Sequence, residues 1–199
     1  MFINFFSLSI FAYLLGSVSF GHIFSKIKKI DITKIGSKSP TATNVARALG
    51  WRWGALTAVL DFLKGVVPVV MALNYLEKEW QIIIVAIMPI VGHIFPVFFK
   101  FKGGRGGATF LGMCLGLVGF KIFIPAFLVW LLILAFTKIT SVTNLIFPWL
   151  FSMFLYLYSK FPSYYFTIGI VGALLVSFAL RNNIKRLIKG KELKTPFKF

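Results

Sequence analysis

The chain has 199 residues, of which 58% are hydrophobic and only 14% are charged. A soluble domain of this length could not bury so much apolar surface, so the composition predicts an all-α, polytopic membrane protein. The net charge is +17, from 22 Lys and Arg against five Asp and Glu. The cations lie in short segments between apolar runs and leave no polar face for reading nucleic acid, so the expected partners are anionic lipid headgroups and anionic substrates.

Seven apolar segments are expected to form about seven transmembrane helices, some of them short. They cover residues 2–24, 53–75, 81–99, 107–119, 121–136, 145–159 and 163–180. As a helix the fourth segment would be about 20 Å long, short of the roughly 30 Å hydrocarbon core, so it is expected to be a short span or a re-entrant piece. No basic region precedes the first segment, which is therefore interpreted as a span and not a secretory signal. We see no long repeat and interpret residues 1–199 as one domain.

The cations are unevenly shared between the two ends of these segments. Eighteen of the 22 fall at one end, and only Lys78, Lys121 and Lys160 fall in turns at the other. By the positive-inside rule this predicts an outside N-terminus and a cytoplasmic C-terminus, with the glycine-bearing loops facing the cytoplasm. The single cysteine, Cys114, lies in an apolar run, so the sequence carries neither a disulfide framework nor a cysteine-built metal site.

One loop combines cations with glycines. Residues 92–112 read GHIFPVFFKFKGGRGGATFLG, with Lys100, Lys102 and Arg105 set among glycines 103, 104, 106 and 107. Glycines allow backbone N–H groups to turn toward an anion, and a helix beginning near Ala108 would add the positive end of its dipole. The stretch predicts an anion-binding loop.

The first polar loop, GSKSPTATNVARALG, is dense in small hydroxyl and amide residues. Ser37, Thr43 and Asn44 can hydrogen-bond phosphate oxygens, and Arg47 offers a bidentate fork. The alternative is an ordinary polar loop in which one hydroxyl caps a helix.

Three more polar residues lie in the apolar segments or at their ends. Asp61 and Lys64 are three apart on a predicted helix, share a face and can neutralise one another, so they are interpreted as a structural ion pair. Substrate contact by Lys64 remains the alternative. His93 has no partner at metal spacing and is interpreted as a hydrogen-bonded packing residue, with catalysis as its alternative. No Ser-His-Asp order and no HExxH element occurs, which argues against a side-chain nucleophile or base of the usual kinds.

Four segments, taken in order, resemble one family. GSKSPTATNVARALG, DFLKG, GHIFPVFFKFKGGRGGAT and RNNIKRLIKGKE look like the successive motifs of the bacterial acyl-phosphate:glycerol-3-phosphate acyltransferases. The resemblance implies a seven-helix protein of the bacterial plasma (inner) membrane with its site on the cytoplasmic side. It implies transfer of an acyl chain from acyl phosphate to the sn-1 hydroxyl of glycerol 3-phosphate, giving lysophosphatidic acid and phosphate, the first acylation step of phospholipid synthesis. It also implies no metal or other cofactor, and a soluble phosphate acyltransferase that would supply acyl phosphate.

The resemblance further implies which residues form the site. By motif position the catalytic residues would be Ser37, Arg47, Lys102, Arg105 and Asn183. The phosphate-binding residues would be Thr43, Asn44, Gly103, Gly104 and Asn144. Glu192 falls on a family acid to which no role is assigned.

Seven positions depart from the family pattern. Lys38, Ser39 and Thr41 stand where Gly, Asn and Gly are usual, and Arg105, Gly107, Asn144 and Leu180 replace Lys, Val, Ser and His. The departures at positions 38, 39, 41 and 180 favour, as the alternative, a paralogue that binds or transports a phosphorylated lipid or small anion without acyl transfer. A third interpretation is a structural bundle whose glycines let helices approach, which would account for Gly112, Gly116 and Gly119 but not for cations among loop glycines.

Overall fold

The structure is a computed structural model that describes residues 4–158 and 160–196, and these residues form helices and loops without a strand. The expected positions 2–3, 159 and 198 lie outside the described residues. The helices are α1 (Phe5–Ser17), α2 (Phe20–Ile27), α3 (Ala42–Leu49), α4 (Trp51–Tyr75), α5 (Glu79–Ile94), α6 (Gly107–Thr137), α7 (Thr140–Leu157), α8 (Ser163–Ala179) and α9 (Arg181–Ile188). Single 3₁₀ turns lie at Ile32–Lys34 and Val97–Phe99.

The α6 stretch is two helical limbs that fold back at Gly119. This glycine has φ 67° and ψ 174°, outside the helical region. The Asn144 side chain packs against Gly107, and its Oδ1 accepts from Trp130 Nε1 at 3.0 Å. In a straight helix residues 107 and 130 would be about 34 Å apart. The chain therefore reverses, and the expected division of 107–119 from 121–136 is present as a first limb (107–118) and a second limb (120–137).

Close backbone contact joins α4 to the first limb of α6. A Cβ at Gly65 would lie 2.1 Å from the Thr109 carbonyl oxygen, and one at Gly112 would lie 1.9 Å from that of Phe62. Such small residues let helices approach where lipid provides no hydrophobic drive. Gly112 thus has the expected structural role of letting two helices approach closely.

The helix α1 runs beside α5 in the same direction. The Phe5 and Trp80 rings are 5.0 Å apart near their first turns, and the Tyr13 hydroxyl donates to the Phe95 carbonyl at 2.9 Å beyond the end of α5. Phe5 therefore lies at the end of the bundle opposite the loop that follows Phe95.

Several boundaries differ from the expectation. The first span is bent by 40° between α1 and α2. Residues 140–144, which fall between the expected fifth and sixth spans, form the first turn of α7, because Thr140 begins that helix. Within the described residues, with the two limbs of α6 counted as one helix, four helices are long and apolar enough to cross a membrane, and counting each bent pair as one span gives up to six. Seven crossings and the orientation of the termini stay predictions.

Candidate active site

A cavity of about 630 Å³ opens at the end of the bundle where the polar loops gather. Side chains from the first loop, the start of α6, the start of α7, α9 and the tail line its polar part: Ser37, Thr43, Arg47, Arg105, Asn144, Asn183 and Glu192. Its apolar part runs between α4 and the second limb of α6. The structure thus brings together most of the expected site residues from five separate segments.

Asn44 organises the first loop from within. Its side chain is fully buried, and its Oδ1 accepts from the Ser37 N–H at 3.0 Å. Its Nδ2 donates to the Ile35 and Ser39 carbonyls, each at 3.0 Å. Both amide hydrogens are thus used within the loop, and the side chain does not line the cavity. In this structure Asn44 supports the backbone that carries Ser37, and its expected contact with phosphate stays a prediction.

The rest of the first loop faces the cavity. Ser37 and Thr43 line it, and the Thr43 hydroxyl is 3.5 Å from that of Thr140, at the outer limit of a hydrogen bond. Lys38 has φ 55°, so it keeps the left-handed backbone that the usual glycine would adopt. The loop therefore turns as a glycine-bearing loop would, at a steric cost of about 1–2 kcal/mol.

Arg47, in α3 of the first loop, contacts the C-terminal tail. Its Nη2 donates to the Lys194 carbonyl at 2.7 Å, and the side chain lines the cavity. Burial lowers the pKa of the Arg47 guanidinium from its ordinary value, Arg186 lowers it further, and Glu192 opposes this. Arginine nevertheless stays protonated, so the desolvated cation favours an anionic ligand.

The glycine loop is pinned to the end of α5. The Gly104 N–H donates to the His93 carbonyl at 3.0 Å, and a Cβ at Gly103 would lie 2.1 Å from the same oxygen. The expected inward N–H of Gly104 is therefore used within the protein. Lys102 is exposed and does not line the cavity, which differs from its expected place among the catalytic groups. Of the three cations in this loop only Arg105 lines the cavity, beside Gly106 and Gly107.

Arg105 sits at the C-terminal end of α8. Its Nη1 donates to the Ala179 carbonyl, so one arm of the guanidinium is fixed at the negative end of that helix. Burial lowers the pKa of Arg105, Arg186 and Arg181 lower it further, and Glu192 raises it. Among the described residues, Arg105, Arg181 and Arg186 lie near one another with Glu192 as the carboxylate beside them, which makes the polar end electropositive.

Glu192, to which the sequence assigned no role, joins three elements. Its Oε1 accepts from the Ser141 hydroxyl at 2.9 Å and from Asn183 Nδ2 at 2.7 Å, and its Oε2 accepts from Arg186 Nε at 2.7 Å. Its side chain is only 5% exposed. Glu192 thereby fixes the tail across the start of α7 and against α9.

Two amides face the cavity with different partners. Because Asn183 gives its Nδ2 to Glu192, its Oδ1 is left buried and without a hydrogen-bond partner among the described residues. That oxygen can accept a hydrogen bond from a ligand hydroxyl. Asn144 Oδ1 instead accepts from Trp130 Nε1 at 3.0 Å, and its side chain packs against Gly107 at the start of α6.

The expected ion pair is present below the cavity. Lys64 Nζ is 2.9 Å from Asp61 Oδ1 and donates to the Val18 carbonyl at 2.9 Å, so it also holds the bend between α1 and α2. His93 Nδ1 lies 3.6 Å from Asp61 Oδ1, and the ring packs on Gly104. Asp61 and His93 line the cavity, whereas Lys64 does not. The three residues brace the glycine loop from beneath.

An aromatic wall forms the apolar arm of the cavity. The rings of Phe123, Phe127 and Trp130 stack in sequence along the second limb of α6, each 5.6 Å from the next. Leu134 continues this wall toward the polar end, and the facing wall is α4 from Gly54 to Leu63. Nine helical steps give that wall a length of about 13 Å. The arm can hold an extended aliphatic chain.

Comparison with known proteins decides the family. The model of the family described as glycerol-3-phosphate acyltransferase matches residues 6–190. The chain belongs to the glycerol-3-phosphate acyltransferase family. A glycerol-3-phosphate acyltransferase of Aquifex aeolicus is 39% identical over 187 residues, covering 93% of this chain and 96% of that protein. One of Prochlorococcus marinus (strain MIT 9312) is 41% identical over 189 residues, covering 92% and 93%.

Solved structures agree with this family membership. Two are of PlsY, an integral membrane glycerol 3-phosphate acyltransferase, in a glycerol 3-phosphate form and a lysophosphatidic acid form. Each is 37% identical and covers 96% of this chain and 94% of its own, with TM-scores of 0.90 and 0.87. This glycerol-3-phosphate acyltransferase family member is accordingly an all-helical integral membrane protein.

Two contacts of this candidate site have no local signal in the sequence. The Arg47 contact with Lys194 joins positions 147 residues apart, and Glu192 reaches back 51 residues to Ser141. The reversal at Gly119 had one signal, because the preceding apolar segment was too short to cross a bilayer.

Proposed function

We propose that the protein transfers an acyl chain from acyl phosphate to the sn-1 hydroxyl of glycerol 3-phosphate, giving lysophosphatidic acid and phosphate. The observation that carries the proposal is the shape of one cavity, which holds Arg47 and Arg105 at one end and continues into an aromatic and aliphatic arm at the other. Two phosphate-bearing substrates, one with an acyl chain, fit this division of charge and apolar surface.

The related structures support the same acceptor. PlsY, 37% identical to this chain, has forms named for glycerol 3-phosphate and for lysophosphatidic acid. These compounds share a glycerol phosphate head and differ by one acyl chain. The polar end and the apolar arm of the present cavity match those two parts.

Separate roles follow from the contacts of each residue. Arg47 and Arg105 bind the substrate phosphates through guanidinium arms not used by the Lys194 and Ala179 carbonyls. The Ser37 hydroxyl donates to a phosphate oxygen. Asn183 Oδ1 accepts from the glycerol hydroxyl that attacks, which orients its oxygen toward the acyl carbon.

The chemical step needs positioning more than a protein base. The glycerol hydroxyl oxygen forms a bond to the acyl carbonyl carbon, and the bond from that carbon to the phosphate oxygen breaks. The hydroxyl proton passes to the departing phosphate, so atoms and charge balance without an added group. The cations stabilise the phosphate as it leaves. Under this mechanism His93 is a packing residue and Leu180 removes an orienting group without removing the reaction.

The predicted setting is the bacterial plasma (inner) membrane with the site on the cytoplasmic side. Most loop cations lie at the site end of the bundle, in agreement with the positive-inside rule. Acyl phosphate would reach the site from a soluble phosphate acyltransferase or from the bilayer, and lysophosphatidic acid would leave into the bilayer.

A second candidate is a paralogue that binds a phosphorylated lipid or small anion without acyl transfer. Leu180 favours it, since this side chain is buried and lines the cavity where the family pattern has a histidine. An apolar group at that position removes one polar contact to a substrate.

The donor is tested by supplying the purified protein with glycerol 3-phosphate and one palmitoyl donor at a time. Palmitoyl phosphate is expected to give lysophosphatidic acid, while palmitoyl-coenzyme A and palmitoyl-acyl carrier protein are not. Positional analysis of the product should place the chain at sn-1. Product from either thioester at the rate seen with palmitoyl phosphate would refute the proposed donor.

A further inference from the structure

The helix α9 lies at the edge of the site and outside the main bundle. It leaves α8 at an angle of 61°. If α8 stands along the membrane normal, α9 lies about 30° from the membrane plane. It has only eight residues, a length at which a helix in water is marginal without other contacts. Whatever α9 touches at the membrane surface will therefore affect its order.

The inner face of α9 belongs to the site. Asn183 is buried and donates to Glu192, and Arg186 donates to the other oxygen of the same carboxylate. These contacts put the Asn183 amide in the cavity. The position of a proposed substrate-binding group thus depends on how firmly α9 is held.

The outer face of α9 is basic and exposed. Lys185, Ile188 and Lys189 share this face by their spacing, and Lys191 follows one residue past the Gly190 turn. Ile188 is 82% exposed. None of the three lysines makes an ion pair in the part of the chain that the structure describes, and Glu192, the acid beside α9, is turned inward. An exposed apolar side chain among lysines is typical of a helix lying in a membrane interface.

We propose that this outer face docks on anionic phospholipid headgroups of the cytoplasmic leaflet and that docking holds Asn183 in place in the cavity. Each lysine near an anionic surface gains attraction, and Ile188 enters the boundary between headgroups and acyl chains. A surface that binds the ordered α9 better than the frayed one shifts the population toward the ordered form. The docking goes beyond the proposed function, and only its effect on turnover rests on that function.

The test compares nanodiscs of phosphatidylcholine with nanodiscs that also contain about 30 mol% phosphatidylglycerol. An Ile188→Cys protein carries an environment-sensitive fluorophore, and the native Cys114 is buried and out of reach of the label. The unlabelled protein is assayed in the same nanodiscs. The test variant is Lys185→Gln/Lys189→Gln/Lys191→Gln. The matched control, Lys26→Gln/Lys28→Gln/Lys29→Gln, removes the same charge from exposed positions at and just beyond the end of α2.

Docking predicts that phosphatidylglycerol shifts the probe emission to the blue in the otherwise native protein and in the control, but not in the α9 variant. The coupling predicts that kcat/KM for glycerol 3-phosphate is about fivefold higher in the anionic nanodiscs than in phosphatidylcholine alone. This factor corresponds to the attraction of about one lysine to an anionic surface. In the α9 variant the same ratio should be under about twofold. High salt should abolish the preference.

Each of the other outcomes refutes either the docking, the coupling or the proposed function. An unresponsive probe, or an equal response in the α9 variant, overturns docking. A responsive probe with kcat/KM independent of phosphatidylglycerol overturns the coupling. Absence of turnover in every sample defeats the proposed function, while the probe still decides whether α9 docks.

Discussion

At the scale of single residues, Arg105 is distinguished from Lys102 by where each side chain lies. Arg105 enters the cavity with one arm fixed on the Ala179 carbonyl, and Lys102 is exposed outside it. We predict that Arg105→Gln lowers kcat for acyl transfer about 10²–10³-fold, as expected when a positioned donor to a developing anion is removed. The kcat of Arg105→Lys should lie between those of the native protein and Arg105→Gln, because lysine keeps the charge and loses the two-pronged guanidinium.

Lys102→Gln is the matched control, since it removes one cation from the same loop. It should change kcat less than about threefold, in the range of an exposed charge acting through solvent. A loss as large as that of Arg105→Gln would place Lys102 in the site, as the resemblance to the family implied.

Substitution of Asn44 is predicted to lower the stability of the protein, because its side chain supports the first loop. Asn44→Ala leaves the Ser37 N–H and the Ile35 and Ser39 carbonyls without their partner. Each unpaired buried group costs about 1–3 kcal/mol, so the thermal midpoint in detergent should fall clearly. Asn44→Asp should also lower it, because the carboxylate cannot donate. A variant with native stability and reduced affinity for glycerol 3-phosphate would instead indicate direct phosphate contact.

At the scale of elements, the reversal of α6 depends on one backbone conformation. Gly119 has φ 67° and no atom within 4 Å of a Cβ placed there. Gly119→Ala therefore meets no steric neighbour and should still cost about 1–3 kcal/mol from backbone strain. The thermal midpoint of the purified protein measures this cost. Leu132→Ala, at a lipid-facing position of the second limb, is the control and should leave the midpoint nearly unchanged.

The tail is held as an element by Glu192. Glu192→Gln removes the charge that attracts Arg186 and one strong acceptor shared by Ser141 and Asn183. We predict a loss of about 1–3 kcal/mol in stability and a raised KM for glycerol 3-phosphate, because Asn183 loses its fixed orientation. The control is Glu77→Gln in the exposed turn at the opposite end. Equal thermal midpoints and KM values for the two variants would refute the role of Glu192.

At the scale of the whole molecule, the local patterns predicted the helices better than the site. Apolar run lengths gave every long helix, and the three-residue spacing of Asp61 and Lys64 gave the ion pair seen at 2.9 Å. The predicted start of the sixth span, at residue 145, was too late, because α7 begins at Thr140 with polar residues that line the cavity.

The site was predictable as a set of segments but not as a set of contacts. Motif order indicated which loops meet, and the structure brings them together. Motif order could not indicate that the Asn44 amide would hydrogen-bond within its own loop or that the Gly104 N–H would donate to the end of α5. Those details depend on how a backbone turns after a bend, which residue type alone does not determine.

The central claim is that one cavity couples binding of glycerol 3-phosphate to cleavage of an acyl phosphate. The most direct measurement follows phosphate and lysophosphatidic acid together in one reaction of the purified protein with palmitoyl phosphate and glycerol 3-phosphate. We predict one lysophosphatidic acid for each phosphate released, with both products absent when glycerol 3-phosphate is omitted. Tight binding of glycerol 3-phosphate by folded protein with neither product above background would contradict the claim.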